Sequence, residues 1–142
     1  KMKKILPLLI AIIAIFSCSD DDMRTRNPFL PNYAVNVQVN LNLPAYSDLN
    51  YPGNAVFISQ SSSGINGIIL FNAGGSYLAW EATCPNQIPE NCSVLQISSL
   101  NAICPCDNVA YSLYTGLPNS DLRYPLMQYR TEVTGNVIRI FN

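Results

Sequence analysis

The side chains with the most chemical reach in this 142-residue chain are five cysteines, Cys18, Cys84, Cys92, Cys104 and Cys106, in a sequence without histidine. Thiolates ligate soft metals, and paired thiols close into disulfides, so cluster ligation and cross-linking are the two chemistries on offer. Other mechanisms fall away. Without histidine there is no imidazole base, and the only lysines are Lys1, Lys3 and Lys4 at the extreme start. Neither a Schiff-base amine nor a phosphate-binding lysine therefore stands in the body of the chain. The carboxylates Asp48, Glu81, Glu90, Asp107, Asp121 and Glu132 are scattered. Nothing in their spacing suggests the paired acids of a glycosidase, and a solvated surface is the favoured reading. Tyr46, Tyr51, Trp80, Tyr111, Tyr114, Tyr124 and Tyr129 offer a sugar- or peptide-binding face, but strand-borne tyrosines more often pack half-buried. No catalytic constellation emerges, and the chain is not expected to be an enzyme.

The first cysteine belongs to a different context from the rest. Met2, Lys3 and Lys4 precede an apolar run from Ile5 to Phe16, broken only by Pro7 and followed by Ser17 and Cys18. A basic start, a short apolar stretch and a small residue before the cut form a secretory signal over residues 1–17. The run is shorter than the ~20 residues a membrane-spanning helix needs. Ile15-Phe16-Ser17-Cys18 resembles a bacterial lipobox, which implies cleavage before Cys18, lipidation of Cys18 and attachment to a membrane through that lipid. The following Ser19-Asp20-Asp21-Asp22 is similar to a surface-export signal of Bacteroidetes lipoproteins. The expected location is the cell envelope, as an outer-membrane lipoprotein exposed at the surface, the alternative being the periplasmic face. Once the leader is removed, five arginines face nine acids, a net charge of −4. That balance argues against nucleic acid as a partner.

The elements that position the remaining cysteines read as short strands. Residues 18–32 carry the acidic run, Pro28 and Pro31, and are expected to form a flexible tether. A single domain is expected over residues 33–142. Val35, Val37, Val39, Leu41 and Leu43 alternate with polar residues, the period of a strand with one wet face, which Pro44 ends. Further strands are expected at 55–59, 65–71, 77–80, 94–97, 110–114, 127–133 and 137–141. Asn72-Ala73-Gly74-Gly75 and Thr134-Gly135-Asn136 read as hairpin turns. No segment has a helical period. The fold class is all-β, a small antiparallel sandwich or barrel.

Two cysteine segments stand out on this scaffold: Glu81-Ala82-Thr83-Cys84-Pro85-Asn86, and Cys104-Pro105-Cys106-Asp107-Asn108-Val109-Ala110-Tyr111 with Thr115-Gly116 and Tyr124-Pro125-Leu126 beyond. Together they resemble a Rieske domain, which carries Cys-x-His in one loop and Cys-x-x-His in a second, the latter often within Cys-Pro-Cys-His-Gly-Ser. The resemblance extends from about Ala55 to Phe141, and Gly64-Ile65-Asn66-Gly67-Ile68-Ile69 is similar to Rieske-like lipoproteins of the Bacteroidetes. It implies a Rieske-like antiparallel β fold with two cysteine-bearing loops. Cys84, Asn86, Cys104 and Asp107 would occupy the four cluster-ligand positions. A Rieske [2Fe–2S] cluster needs two thiolates on one iron and two imidazoles on the other. Here both imidazole positions are changed, and Asn108 and Val109 replace the small residues that follow the second histidine.

Four cysteines beyond Cys18 allow three disulfide connectivities, and spacing alone does not choose among them. The resemblance favours Cys84–Cys104, because the family's two ligand thiolates converge on one iron. It assigns Cys92–Cys106 to the loop-to-loop bridge that many Rieske domains carry. No cofactor is then expected, and the implied role is a non-catalytic surface-binding or envelope module, with a glycan or an envelope protein as partner. The alternative is an electron-transfer protein that keeps a [2Fe–2S] cluster on altered ligands, either all four cysteines or cysteine with aspartate.

Overall fold

A computed structural model describes residues 27–142. The expected leader, the lipidation site Cys18 and the acidic run after it lie outside the described residues. Among those described, no helix is long and apolar enough to cross a membrane.

The chain builds nine strands: β1 (Asn36–Asn40), β2 (Ala55–Ile58), β3 (Ile68–Asn72), β4 (Tyr77–Glu81), β5 (Gln96–Ser98), β6 (Asn101–Ile103), β7 (Ala110–Ser112), β8 (Gln128–Thr134) and β9 (Val137–Phe141). Six of them form an antiparallel sheet in the order β1-β9-β8-β4-β3-β2, and β5-β6-β7 form a small second sheet. The fold is all-β, as the alternating sequence requires. The β3–β4 and β8–β9 hairpins close over the turns expected at 72–75 and 134–136, with Asn72 paired to Tyr77 and Thr134 to Val137.

Side-chain alternation on β3 explains why one sheet supports two cores. Ile68 and Leu70 point into a cluster with Val37, Val39, Leu49, Ile58, Ala79, Tyr129, Ile138 and Ile140. Ile69 and Phe71 point to the opposite face, into a cluster with Trp80, Ala82, Leu95, Ala102, Tyr111, Leu113 and Leu126. Every residue of β3 is buried, so its sequence reads as a continuous apolar run rather than an alternation. The second core is the floor of the cysteine lobe. The chain beyond β4 carries the large sheet into that lobe: Leu95 N–H donates to Ala82 O, and Cys84 N–H donates to Ser93 O.

Several boundaries differ from the sequence reading for local reasons. The first strand stops at Asn40, whose side chain accepts from Asn42 N–H and turns the chain. Pro44 then opens a 3-10 helix, Pro44–Asn50, where only the end of a strand was expected. The strand expected from residue 65 begins at Ile68, because Ile65 and Asn66 direct their N–H groups to the Glu81 carboxylate. A short strand at Asn101–Ile103 was not expected at all. The end of the expected tether is not free chain: Leu30 is 4% exposed, Asn27 Nδ2 donates to Pro85 O, and the Phe29 ring meets Tyr124 edge-on. Phe29 and Leu30, which follow Pro28, give this stretch something to bury, which the acidic run before it lacks.

Candidate functional site

The four cysteines of the described chain meet at one end of the second core. Two loops bring them there, 84–93 after β4 and 104–109 between β6 and β7. Cys84 is bonded to Cys104 with Cα atoms 5.6 Å apart, and Cys92 to Cys106 with Cα atoms 5.2 Å apart. Both separations lie in the usual range for disulfides. These are the two pairings that the resemblance implied. The bridges differ in environment: Cys84 and Cys104 are fully buried, Cys106 is half-buried and Cys92 is exposed. The sulfurs of Cys84, Cys104 and Cys106 all lie within 4.8 Å of one another.

The second loop is a tight turn. Cys104 N–H donates to Val109 O, and Asn108 N–H donates back to Cys104 O. Asn108 takes φ +60°, a left-handed conformation that asparagine tolerates better than most residues. The Asp107 carboxylate accepts from Val109 N–H at 3.0 Å and caps this turn at the surface.

Asn86, in the first cysteine loop, is engaged more fully. Its Nδ2 donates to Tyr124 O at 2.7 Å and to Tyr111 Oη at 3.0 Å, and its Oδ1 accepts from Tyr124 N–H at 2.9 Å. The amide thus pairs with the Tyr124 backbone as a neighbouring strand would, and ties the first cysteine loop to the segment before Leu126. Beneath it, burial pushes the Tyr111 phenol above its ordinary value; the hydrogen bond from Asn86 partly offsets this, and the nearby Asp107 carboxylate adds to it.

This donor set does not fit a histidine-ligated cluster. An amide is a poor ligand for iron, a carboxylate is a hard one, and no histidine elsewhere in the chain is available to replace them. Asn86 is also committed to a neighbouring loop through both ends of its amide.

Two further features of the site were not legible in the sequence. Glu81, expected at a solvated surface, is fully buried. Its carboxylate accepts from Ile65 N–H, Asn66 N–H, Thr83 Oγ1–H and Tyr129 Oη–H, at 2.9, 3.1, 2.6 and 2.6 Å. Four donors offset the cost of taking the group out of water. Gly64 permits the arrangement, since any Cβ there would overlap the carboxylate. Burial, reinforced by the adjacent Glu81, pushes the Tyr129 phenol far up. A buried acid surrounded by apolar strand residues carries no period or motif to signal it.

The second feature is a cleft of about 580 Å³ where β8 meets the cysteine lobe, lined by Trp80, Thr115, Leu117, Met127, Gln128 and Arg130 among others. Gly116 makes its inner wall possible: at φ +72° it lies so close to the Trp80 ring that a Cβ would approach Cζ3 to 2.7 Å. The one ion pair among the described residues joins Arg139 to Glu132, which leaves the exposed Arg130 guanidinium of the cleft without a carboxylate partner there. Of the aromatics, Tyr111 and Tyr129 are core, whereas Tyr51 and Tyr114 are 66% and 46% exposed.

This antiparallel fold is similar to solved structures. A cyanobacterial plasma-membrane Rieske protein from Synechocystis superposes with a TM-score of 0.53 at 20% identity, over 73% of this chain and 97% of that one. A chain from the complex of reduced oxygenase and oxidized ferredoxin in carbazole 1,9a-dioxygenase gives 0.50 at 22% identity, over 75% of this chain and 93% of that one. The fold is Rieske-like. No family model matches the sequence, and no curated protein matches it. Of the residues singled out by the resemblance, Cys84 and Cys104 are bonded to each other, while Asn86 and Asp107 are engaged in hydrogen bonds within and between the loops.

Proposed function

We propose that this is a cluster-free Rieske-like module, exported and held at the envelope by lipid on Cys18, that acts by binding rather than by catalysis. One observation carries the reading: the four positions that would hold a cluster are occupied by the Cys84–Cys104 disulfide, by an Asn86 amide paired with the Tyr124 backbone, and by Asp107 capping its own turn. Each is a structural use of a residue the cluster would need. The cysteine loops then serve as braced surface loops, and no cofactor is required. The cleft beside them supplies a binding surface. Arg130 offers a charged donor there, Gln128 and Thr115 offer polar contacts, and Trp80 and Met127 offer apolar ones. That mixture suits a glycan or a polar segment of an envelope protein.

A second reading has its own observation. The sulfurs of Cys84, Cys104 and Cys106 lie within 4.8 Å of each other and Cys92 is bonded to Cys106, so all four thiols would converge if both bridges opened. Four thiolates are a known ligand set for [2Fe–2S]. Purification without oxygen, followed by iron and acid-labile sulfide analysis and a visible spectrum, separates the two. The expected result is no stoichiometric iron or sulfide. A red-brown protein with both in equal amounts would overturn the cluster-free reading.

A further inference from the structure

The two disulfides are neighbours, and they are not equivalent. The outer one ends at an exposed residue, Cys92, while the inner one, Cys84–Cys104, is sealed from solvent. Cys106 stands between them, bonded to Cys92 and within 4.8 Å of both inner sulfurs.

Ser93 adds a direction to this arrangement. It is fully buried, and its hydroxyl oxygen accepts from Glu90 N–H at 2.8 Å and from Gln87 Nε2 at 3.0 Å. Those two bonds use both acceptor positions of the hydroxyl, which leaves its single proton to donate. The remaining neighbour is Cys106 Sγ at 3.8 Å, which carries no proton in the disulfide and must be the acceptor. A hydroxyl aimed at one sulfur of a disulfide stabilises negative charge on that sulfur as the bond breaks. It makes Cys106 the better leaving group and directs an incoming thiolate to Cys92. Accessibility and the hydrogen bond point to the same sulfur.

We propose that the two bridges form an internal thiol–disulfide relay, with Cys92 as the sulfur attacked by an external dithiol and Cys106 as the carrier to the buried pair. In the first step a thiolate of the dithiol bonds to Cys92 Sγ, the Cys92–Cys106 bond breaks, and Cys106 leaves as a thiolate. The second thiol of the reagent then attacks its own sulfur in the mixed disulfide. Cys92 is released as a thiol and the reagent departs as a disulfide. The protein has gained two electrons and two protons, and the dithiol has lost them. In the last step the Cys106 thiolate attacks Cys84 Sγ, the Cys84–Cys104 bond breaks, and Cys104 becomes the thiolate and takes up a proton. This exchange leaves the electron count unchanged. It moves the reduced sulfur inward and keeps the two loops joined, now through Cys84–Cys106. Attack on Cys104 instead would close a ring across Pro105 alone. The relay is a thiol-exchange activity beyond the binding role and stands or falls independently of it.

Stepwise reduction of the folded, full-length protein by dithiothreitol tests the proposal, with acid quenching, thiol labelling and mass mapping of every cysteine. The first adduct is expected on Cys92. The partly reduced protein is expected to hold a Cys84–Cys106 bridge that the oxidised protein lacks, with labels on Cys92 and Cys104. In Ser93→Ala the opening step is expected to slow roughly tenfold, the scale of one hydrogen bond to a charged group, and the preference for Cys92 to weaken. A first adduct on Cys106, or a partly reduced form that keeps only Cys84–Cys104 with labels on Cys92 and Cys106, overturns the relay. If Ser93→Ala does not fold, the bridge mapped in the unmodified protein decides the matter alone.

Discussion

The outer part of the large sheet and the cysteine lobe are held together differently. In the former, β9 pairs with β1 and with β8 over five residues each, with Val37, Val39, Ile138 and Ile140 at most 2% exposed on the inner face. No covalent link is present there among the described residues. In the lobe, β5, β6 and β7 are three residues each, every residue of β5 is exposed, and two disulfides tie the loops. Short strands bury little apolar area, so the lobe gains less from the hydrophobic effect and relies more on constraining its unfolded state. The Cys84–Cys104 and Cys92–Cys106 bonds brace both loops of the lobe. The lobe's short strands are thus joined to a cross-linked end whose thiol chemistry and mechanical bracing reside in the same atoms.

The comparison is most severely tested at β3, which serves both regions. Phe71→Ala opens the core beneath the lobe while leaving Leu70 on the other face, and a loss of about 3–5 kcal/mol is expected in urea unfolding. If the two cores are one cooperative unit, the loss appears at all probes together; an early transition confined to the lobe would show that they unfold separately. Replacing both inner cysteines, Cys84→Ala with Cys104→Ala, is expected to cost about 2–4 kcal/mol. Hydrogen exchange should place that loss in the lobe, at amides such as Leu95, Cys104 position and Leu113, with β1 and β9 unchanged. Equal loss of protection in both regions would remove the distinction drawn above. The smallest effect concerns alkaline pH. Tyr111 in the lobe and Tyr129 in the sheet both have raised pKa values, chiefly from burial. Above the ordinary tyrosine value of about 10 the unfolded chain loses these protons and the folded chain keeps them. Stability is therefore fully present below that pH and falls as pH rises beyond it. Absorbance titration should show the two phenols ionising last, with unfolding; Tyr129→Phe is expected to flatten part of the alkaline loss.

How much of this was readable beforehand depends on the residue. Val37 and Val39 announced β1 because one face is buried and one is wet, and alternation records that difference. The hairpins at 72–75 and 134–136 were readable because their turn residues are short-range signals. The site was readable as far as the resemblance reached, which covered Cys84, Asn86, Cys104 and Asp107 as a group. Glu81 was not, because its four donors come from residues 65, 66, 83 and 129, and no local pattern gathers them. The cleft was invisible for the same reason, being assembled from β4, β8 and two loops.

The sequence by itself determined that imidazole chemistry is absent, that the chain is built of short strands, and that four of its five cysteines fall into two segments of a Rieske-like pattern. These are matters of composition and local period, and they need no third dimension. Only the tertiary structure decided which cysteines are bonded, that one bridge is sealed and the other exposed, and that Ser93 directs its proton to Cys106. Connectivity, burial and hydrogen-bond direction are relations between segments far apart in the chain, and the packing of one loop on another is what sets them.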